Sequence, residues 1–185
     1  PWGNPLEKMR DYISIMNKIF AREGPVTHDG KELRLPYDGP GSAGMGKPLK
    51  SILHFPDKPK LFLGTGARET VAMTAELADG WLPFGMRNCN LALFKGWLET
   101  GFKRAGNGKS WRDFEIQGSV TVNVTEDIKT AFADAKPFIA LYVGGMGHPK
   151  LNFHKKRMIR EGWGEAAERI HELFNAGKRE EAIEA

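Results

Sequence analysis

The sequence predicts an α/β fold with parallel strands, because three predicted strands alternate with helices. Residues 60–87, KLFLGTGARETVAMTAELADGWLPFGMR, are typical of a strand, a glycine turn, a helix, a tight turn and a second strand. The helix is predicted over Ala67–Ala78, and Asp79–Gly80 ends it. A third strand is predicted from Phe114 onward. A crossover between parallel strands needs about a dozen residues, so helices in these connections imply parallel pairing.

The chain begins with a predicted capped helix. Asn4 can accept hydrogen bonds from the first amides, Pro5 suits the first helical position, and Glu7 completes a capping-box pattern. Apolar residues recur at intervals of three and four and form one stripe, which consists of Leu6, Met9, Ile13, Met16 and Phe20. Gly24–Pro25 is expected to end the helix.

Residues 25–58 form a predicted insertion. It starts with a β-hairpin, in which Asp29–Gly30 indicates a two-residue type I′ turn. Residues 38–50 are rich in Gly and Pro and include Lys47, which invites a phosphate-loop interpretation. We reject it because the G-x-x-x-x-G-K-[ST] pattern is absent and Pro48 stands where a helix should start. A surface loop is predicted instead.

A second helix and a long strand follow. Asn90 opens the helix, whose apolar face consists of Leu91, Phe94, Trp97, Leu98 and Phe102. From Phe114 to Thr125 apolar and polar residues alternate, which predicts one strand with an apolar face. That face contains Phe114, Ile116, Val120, Val122 and Val124, and the other contains Glu115, Gln117, Ser119, Thr121 and Asn123. The polar face is expected to meet either solvent or a wet, ligand-filled interior.

The remaining residues predict helices. Residues 128–142 form a helical pattern with a bend at Pro137, and Gly144–Gly147 breaks it. Two further helices are predicted at about His148–Arg160 and Gly164–Ala176, and Gly177 caps the second.

Composition limits the function classes. Hydrophobic residues make up 41% of the chain and charged residues 27%, with a net charge of +4. Apolar runs are shorter than the roughly 20 residues of a membrane span, and the charge is too small to indicate nucleic-acid binding. We therefore expect a small-molecule partner, with no membrane and no nucleic acid. The single cysteine, Cys89, and scattered histidines predict a cytoplasmic protein without a disulfide or a metal site.

The order of elements suits a doubly wound sheet or part of a (β/α)₈ TIM barrel. A full barrel takes about 250 residues, and three strands cannot close one. The chain starts at Pro1 without an initiator Met and ends at Ala185 inside a helical pattern, so we expect a fragment. Residues 1–185 are expected to form one partial domain that contains the insertion 25–58.

Three segments resemble the luciferase-like monooxygenase superfamily. They are PWGNPLEKMRDYISIMNKIFAREGPVTHDGKELRLP, PKLFLGTGARETVAMTAELADGWLP and KPFIALYVGGMG, and the last two are most similar to the branch that uses the deazaflavin coenzyme F420. The resemblance implies a TIM barrel of which this chain holds the fourth helix, the insertion and strands five to seven. The first four strands and the last are then missing. Leu61–Leu63 and Val120–Val124 should lie in one curved sheet, with Thr65 and Gly66 at its open mouth.

The resemblance implies an oxidoreductase that transfers a hydride between coenzyme F420 and a small organic substrate. Coenzyme contacts are expected from Gly64, Thr65, Gly66, Ala67, Arg68, Phe84 and Arg87; without the resemblance, a tight turn and surface charges explain the same residues. The acid and base residues of the family come mainly from the missing strands, so the fragment is expected to be inactive alone. A homodimer is expected for the full-length protein. The alternatives are an FMN-dependent monooxygenase of the same superfamily and a non-catalytic α/β binding module.

Overall fold

The computed structural model describes residues 3–83 and 91–185. Its contacts divide the chain into two compact units, Pro1–Val120 and Thr121–Ala185. Each unit contains a hydrophobic core of its own. The expectation of one partial domain over 1–185 stays a prediction.

The first unit begins with the predicted capped helix, α1 (Pro5–Ala21). Asn4 Oδ1 accepts from the amides of Leu6 and Glu7 at 3.0 and 3.4 Å, which confirms the cap. The capping box is wrong, because the Asn4 amide donates to Glu32 Oε1 at 2.7 Å and not to Glu7. The helix ends at the left-handed Arg22 (φ 54°), two residues before the predicted stop.

The insertion contains the predicted hairpin, formed by β1 (His28–Asp29) and β2 (Arg34–Leu35). The two strands pair antiparallel, with His28 opposite Leu35 and Asp29 opposite Arg34. Residues 30–33 connect them, so the loop has four residues and the predicted two-residue type I′ turn is wrong.

The conformation of this loop follows from a contact with α1. Asp11 is buried, and its Oδ2 accepts from the amides of Glu32 and Leu33 at 2.7 and 2.9 Å. The Asp11 carboxylate lies where a Cβ of Gly30 would stand, at 2.3 Å. Glycine is therefore required here by a close approach between segments rather than by a positive φ.

The three predicted parallel strands are present as β3 (Phe62–Leu63), β4 (Gly80–Trp81) and β5 (Glu115–Ile116). They form one sheet in the order β3-β4-β5, and both pairings are parallel. Leu63 lies opposite Trp81, which in turn lies opposite Ile116. The α/β class and the parallel pairing are thus confirmed, although the strands are shorter than predicted.

Helix α2 (Arg68–Leu77) connects β3 to β4, and α3 (Ala92–Ala105) with a 3₁₀ turn at Trp111–Asp113 precedes β5. Their apolar faces meet over the sheet in a core of Val71, Ala75, Trp81, Phe94, Leu98, Phe102 and Phe114. The predicted apolar face of α3 is confirmed at its central residues, which are buried in this core.

The long alternating strand is wrong beyond its first residues. Its ladder ends at Ile116, and Val120, Val122 and Val124 are 85%, 75% and 95% exposed. Both faces of this segment therefore meet solvent, and Val120–Val124 does not share a sheet with Leu61–Leu63. β5 is the last strand of the three-stranded sheet, and an isolated extended segment gains no stability from its alternating pattern alone.

The second unit is helical. It consists of α4 (Ile128–Ala133), α5 (Lys136–Ala140), a π-helical turn (Leu141–Gly145), a 3₁₀ turn (Pro149–Leu151), α6 (Phe153–Arg160), α7 (Gly164–Asn175) and α8 (Arg179–Glu184). The predicted bend at Pro137 is present as a break between α4 and α5. Gly177, with φ +79°, follows α7 as predicted. Within the described residues, every helix is too short or too polar to cross a membrane.

Candidate functional site

The glycine turn lies at the carboxyl edge of the parallel sheet. Gly64 directly follows β3, and Leu82 directly follows β4. The Leu82 amide donates to Leu63 O at 3.0 Å, and a Cβ built on Gly64 would stand 3.9 Å from Leu82 O. Five of the predicted site residues, 64–68, are thus brought together where parallel α/β sheets bind ligands.

Thr65 turns its hydroxyl toward the interior. Its Oγ1 lies 2.8 Å from Oγ1 of Thr74, a fully buried residue of α2. Thr74 Oγ1 donates its one proton to Thr70 O, also at 2.8 Å. In the pair, Thr65 is therefore the donor and Thr74 the acceptor.

The carbonyl of Thr65 is turned inward too. Nε1 of Trp81, a fully buried residue of β4, donates to Thr65 O at 2.9 Å. A buried indole N–H needs an acceptor, and this carbonyl provides it. Thr74 and Trp81, which the sequence analysis did not assign to the site, thus fix the inner side of the turn.

The outer side of the turn consists of small residues and one cation. Gly64, Gly66, Ala67 and Arg68 are exposed. A Cβ built on Gly66 would meet no heavy atom of another segment within 4 Å. The Cβ position of Gly66 borders open space among the described residues, so a planar or anionic group can approach from that side.

The turn continues directly into the start of α2. Ala67 occupies the N-cap with an extended backbone (φ −96°, ψ 155°) and provides no side-chain acceptor. Thr70 Oγ1 accepts from the Ala67 amide at 3.2 Å. The first-turn amides of Arg68 and Glu69 have no acceptor within the helix, and the helix dipole favours negative charge near them. Arg68 adds a positive side chain at the same end.

Helix α2 is held at its carboxyl end by two charged residues. Arg10 of α1 makes two hydrogen bonds of 2.6 Å to the Glu76 carboxylate, which raises the pKa of Arg10. Lys109 Nζ donates to Ala78 O at the carboxyl end of α2. Burial lowers the pKa of Lys109. These contacts fix the helix whose amino end carries the turn.

Other predicted features lie elsewhere. Phe84 and Arg87 fall within 84–90, outside the described residues, so both assignments stay predictions. Within the described ranges, acidic, histidine and cysteine side chains form no group of three that could hold a metal ion.

Two concavities of the first unit are separate from the turn. One, of about 440 Å³, is lined by Arg10, Ile13, Ser14, Asn17, Lys18, Ala21, Glu23 and Leu77. The other, of about 460 Å³, is lined by Lys18, Thr27, His28, Asp29, Arg34, Leu35, Pro36 and Asp38. Neither is lined by any of residues 64–68.

Comparison with known proteins covers the whole chain. The family model described as Luciferase-like monooxygenase matches residues 1–185. A Mycobacterium tuberculosis protein named "Putative coenzyme F420-dependent oxidoreductase" is 42% identical over 182 residues, which are 97% of this chain and 52% of that protein. The solved coenzyme F420-dependent tetrahydromethanopterin reductase of Methanopyrus kandleri is similar in fold, with a TM-score of 0.67 at 19% identity. The match covers 97% of this chain and 47% of the reductase, so the chain spans about half the length of the relatives it matches.

Proposed function

Because the chain belongs to the luciferase-like monooxygenase family, we propose that it is part of an oxidoreductase that transfers a hydride between coenzyme F420 and a small organic substrate. The observation that carries this proposal is the turn at residues 64–68, in a chain 42% identical to the mycobacterial relative. The turn joins an open backbone surface to a helix amino end and an arginine at the carboxyl edge of the sheet.

The chain is, in this proposal, a section of a TIM barrel. Three parallel strands in sequential order are one consecutive part of a barrel wall, and the chain spans about half of its relatives. The exposed valines after β5 fit it, because an alternating segment is stabilised by pairing with a neighbouring strand, and in this proposal that neighbour lies outside residues 1–185. The other strands would complete the wall and close the cavity over the turn.

The residues of the turn fit a coenzyme with a flat ring and an anionic tail. Gly64 and Gly66 leave room for close approach, and a side chain at Gly66 would fill that space. The first-turn amides of α2 and the guanidinium of Arg68 suit a phosphate oxygen. Phe84 and Arg87 are proposed as further contacts from the segment that follows β4 in the sequence.

The coenzyme, when bound, supplies the hydride chemistry. The residues of this chain bind and orient it. Acid and base groups at the reacting carbon are proposed to come from strands outside residues 1–185, so the chain alone should bind weakly and should not catalyse the reaction. We propose a small organic molecule as substrate, and a homodimer for the full-length protein.

A chimera tests the assignment. This chain replaces the segment that it matches in the mycobacterial relative, and the deazaflavin is titrated against its fluorescence. Micromolar or tighter binding is expected for the chimera, and much weaker binding for residues 1–185 alone. Indifference to the deazaflavin together with tight FMN binding would instead favour the FMN-dependent monooxygenase. Tight deazaflavin binding by 1–185 alone would contradict the partial barrel.

Arg68 offers a charge-specific test in the same chimera. Arg68→Ala is expected to weaken deazaflavin binding about two- to fivefold, because a cation near an anion at a helix end contributes about 0.3–1 kcal/mol. The effect should shrink in high salt. Arg112→Ala is the matched control, since Arg112 is exposed and precedes β5 at the opposite edge of the sheet. Equal losses in both variants would show that net charge acts rather than the turn.

A substitution at Gly66 distinguishes an effect on coenzyme binding from an effect on stability. Gly66→Leu should leave the melting temperature within about 2 °C, since the position is exposed and its added Cβ meets open space among the described residues. It should weaken deazaflavin binding at least tenfold by blocking approach. Gly24→Leu, at another exposed glycine with open space around it, should change neither quantity. Undiminished binding by Gly66→Leu would remove the turn from the site.

A further inference from the structure

We propose that Thr74 and Trp81 are positioning residues for coenzyme binding: from inside the protein they hold the Thr65 peptide so that the turn presents backbone and not side chain. This inference rests on the proposed function. It assigns a binding role to two fully buried residues that do not touch the outer surface of the turn.

The turn has two ways to present Thr65. With the hydroxyl and carbonyl outward, both polar groups would occupy the surface between Gly64 and Gly66. In the structure both are turned inward, the hydroxyl to Thr74 Oγ1 at 2.8 Å and the carbonyl to Trp81 Nε1 at 2.9 Å. The outward surface is thereby left to the two glycines. Because the two anchors bind different atoms of one residue, together they fix its rotation as well as its place.

The hydroxyl pair also has a defined direction. Thr74 donates its proton to Thr70 O, one turn back in α2, so its oxygen can only accept from Thr65. Such a chain of two hydrogen bonds ties the turn to the backbone of the helix that follows it. The hydroxyl pair therefore couples the position of the turn to the amino-terminal half of α2.

Thr74 gives the sharper test, because its hydroxyl can be removed without changing its volume. Thr74→Val keeps the shape and removes the acceptor, whereas Thr74→Ser keeps the acceptor. Thr65→Val removes the donor from the other side. If the hydroxyl pair is the cause, the double variant Thr65→Val/Thr74→Val should bind no worse than either single variant.

Two readouts are used: amide hydrogen exchange at residues 64–67 of the 185-residue chain, and the deazaflavin Kd of the full-length chimera. Thr74→Val should speed exchange and raise Kd about 2- to 12-fold, the range that one net hydrogen bond supplies. Thr74→Ser should stay within about twofold of the parent. Trp81→Phe should also raise Kd, and the exchange data show whether its core remains folded.

The outcomes separate the two proposals. A parent chimera that does not bind the deazaflavin sinks the proposed function and this inference with it. A chimera that binds, with Thr74→Val equal to the parent in Kd, overturns the inference alone. Thr74→Ser as weak as Thr74→Val also overturns it, because packing in α2 would then be the cause. Additive losses in the double variant would show that the two hydroxyls act separately.

Discussion

The packing of α3 on α2 leads to a prediction whose magnitude follows from the structure. Gly101 of α3 lies so close to α2 that a Cβ added to it would stand 2.1 Å from Ala72 O and 2.6 Å from Ala75 Cβ. Gly96 lies in the same helix, is exposed, and has open space where its Cβ would stand. The two positions therefore share their backbone conformation and differ in their surroundings.

Both Gly→Ala changes gain about 1 kcal/mol of helix propensity. At Gly101 the added methyl also meets a backbone oxygen, which can yield only if α2 moves, so the overpacking cost should lie near the upper end of about 1–3 kcal/mol. Gly101→Ala should then destabilise the first unit by about 2 kcal/mol, and Gly96→Ala should stabilise it by about 1 kcal/mol. The stability changes of the two variants should therefore differ by about 3 kcal/mol. This difference is the overpacking cost at Gly101 alone, because both variants gain the same helix propensity.

Native-state amide exchange of α2 and α3 measures these differences within the first unit, whatever the stability of the second. The slowest-exchanging amides should lose protection in Gly101→Ala and gain it in Gly96→Ala. Shifts of the same sign and similar size in both variants would refute the reasoning, because α2 and α3 would then not be in close contact at Gly101.

Three further predictions concern charged and buried polar groups. Hydrogen bonds from the amides of Glu32 and Leu33 lower the pKa of Asp11 below its ordinary 3.8. The stability that the Asp11 carboxylate contributes is therefore complete above pH 3.8 and is lost as pH falls through the lower pKa of the folded state. The NMR shift of the Glu32 amide should titrate with that lower pKa, and it should not change with pH in Asp11→Asn. Burial lowers the pKa of Lys109, so the unfolded chain binds this proton more tightly than the folded chain does. The free energy of unfolding should therefore rise with pH between the pKa of the folded state and 10.5. Urea unfolding of Lys109→Met at several pH values should lack that rise. Asn152→Ala should cost the second unit about 3 kcal/mol by exchange, because it removes the donor to two carbonyls of the π-helical turn and the acceptor for the Lys155 amide. Asn152→Asp should not restore this stability, because its buried carboxylate can only accept and would face the same two carbonyl oxygens.

Features of the fold that depend on near neighbours in sequence were predictable. The Asn4 cap and the apolar face of α3 rest on contacts within one or two helical turns, and the structure contains both. The parallel pairing of β3 and β4 followed from the helix between them. In each case the residues that specify the element also lie within it.

Features that depend on distant segments were not predictable. The loop after Asp29 is fixed by Asp11, 21 and 22 residues from the amides it binds, and not by the Asp-Gly pair. The alternation after Phe114 indicates a strand, but alternation specifies only which faces differ, and pairing needs a neighbouring strand. Val120–Val124 has no ladder partner among the described residues, and it lies outside the sheet.

The candidate site combines both cases. Its glycines could be located from the pattern alone, but the residues that direct the turn, Thr74 and Trp81, lie 9 and 16 positions beyond Thr65. A signal for them was nevertheless present. Thr74 interrupts an apolar helix segment that faces the core, and Trp81 begins a buried strand; a hydroxyl and an indole N–H in such places need partners. The turn at residues 64–66 was one candidate for such partners. Thr70 O, which the Thr74 hydroxyl also binds, and the nearer turn at Asp79–Gly80 were others, so the sequence alone could not choose among them.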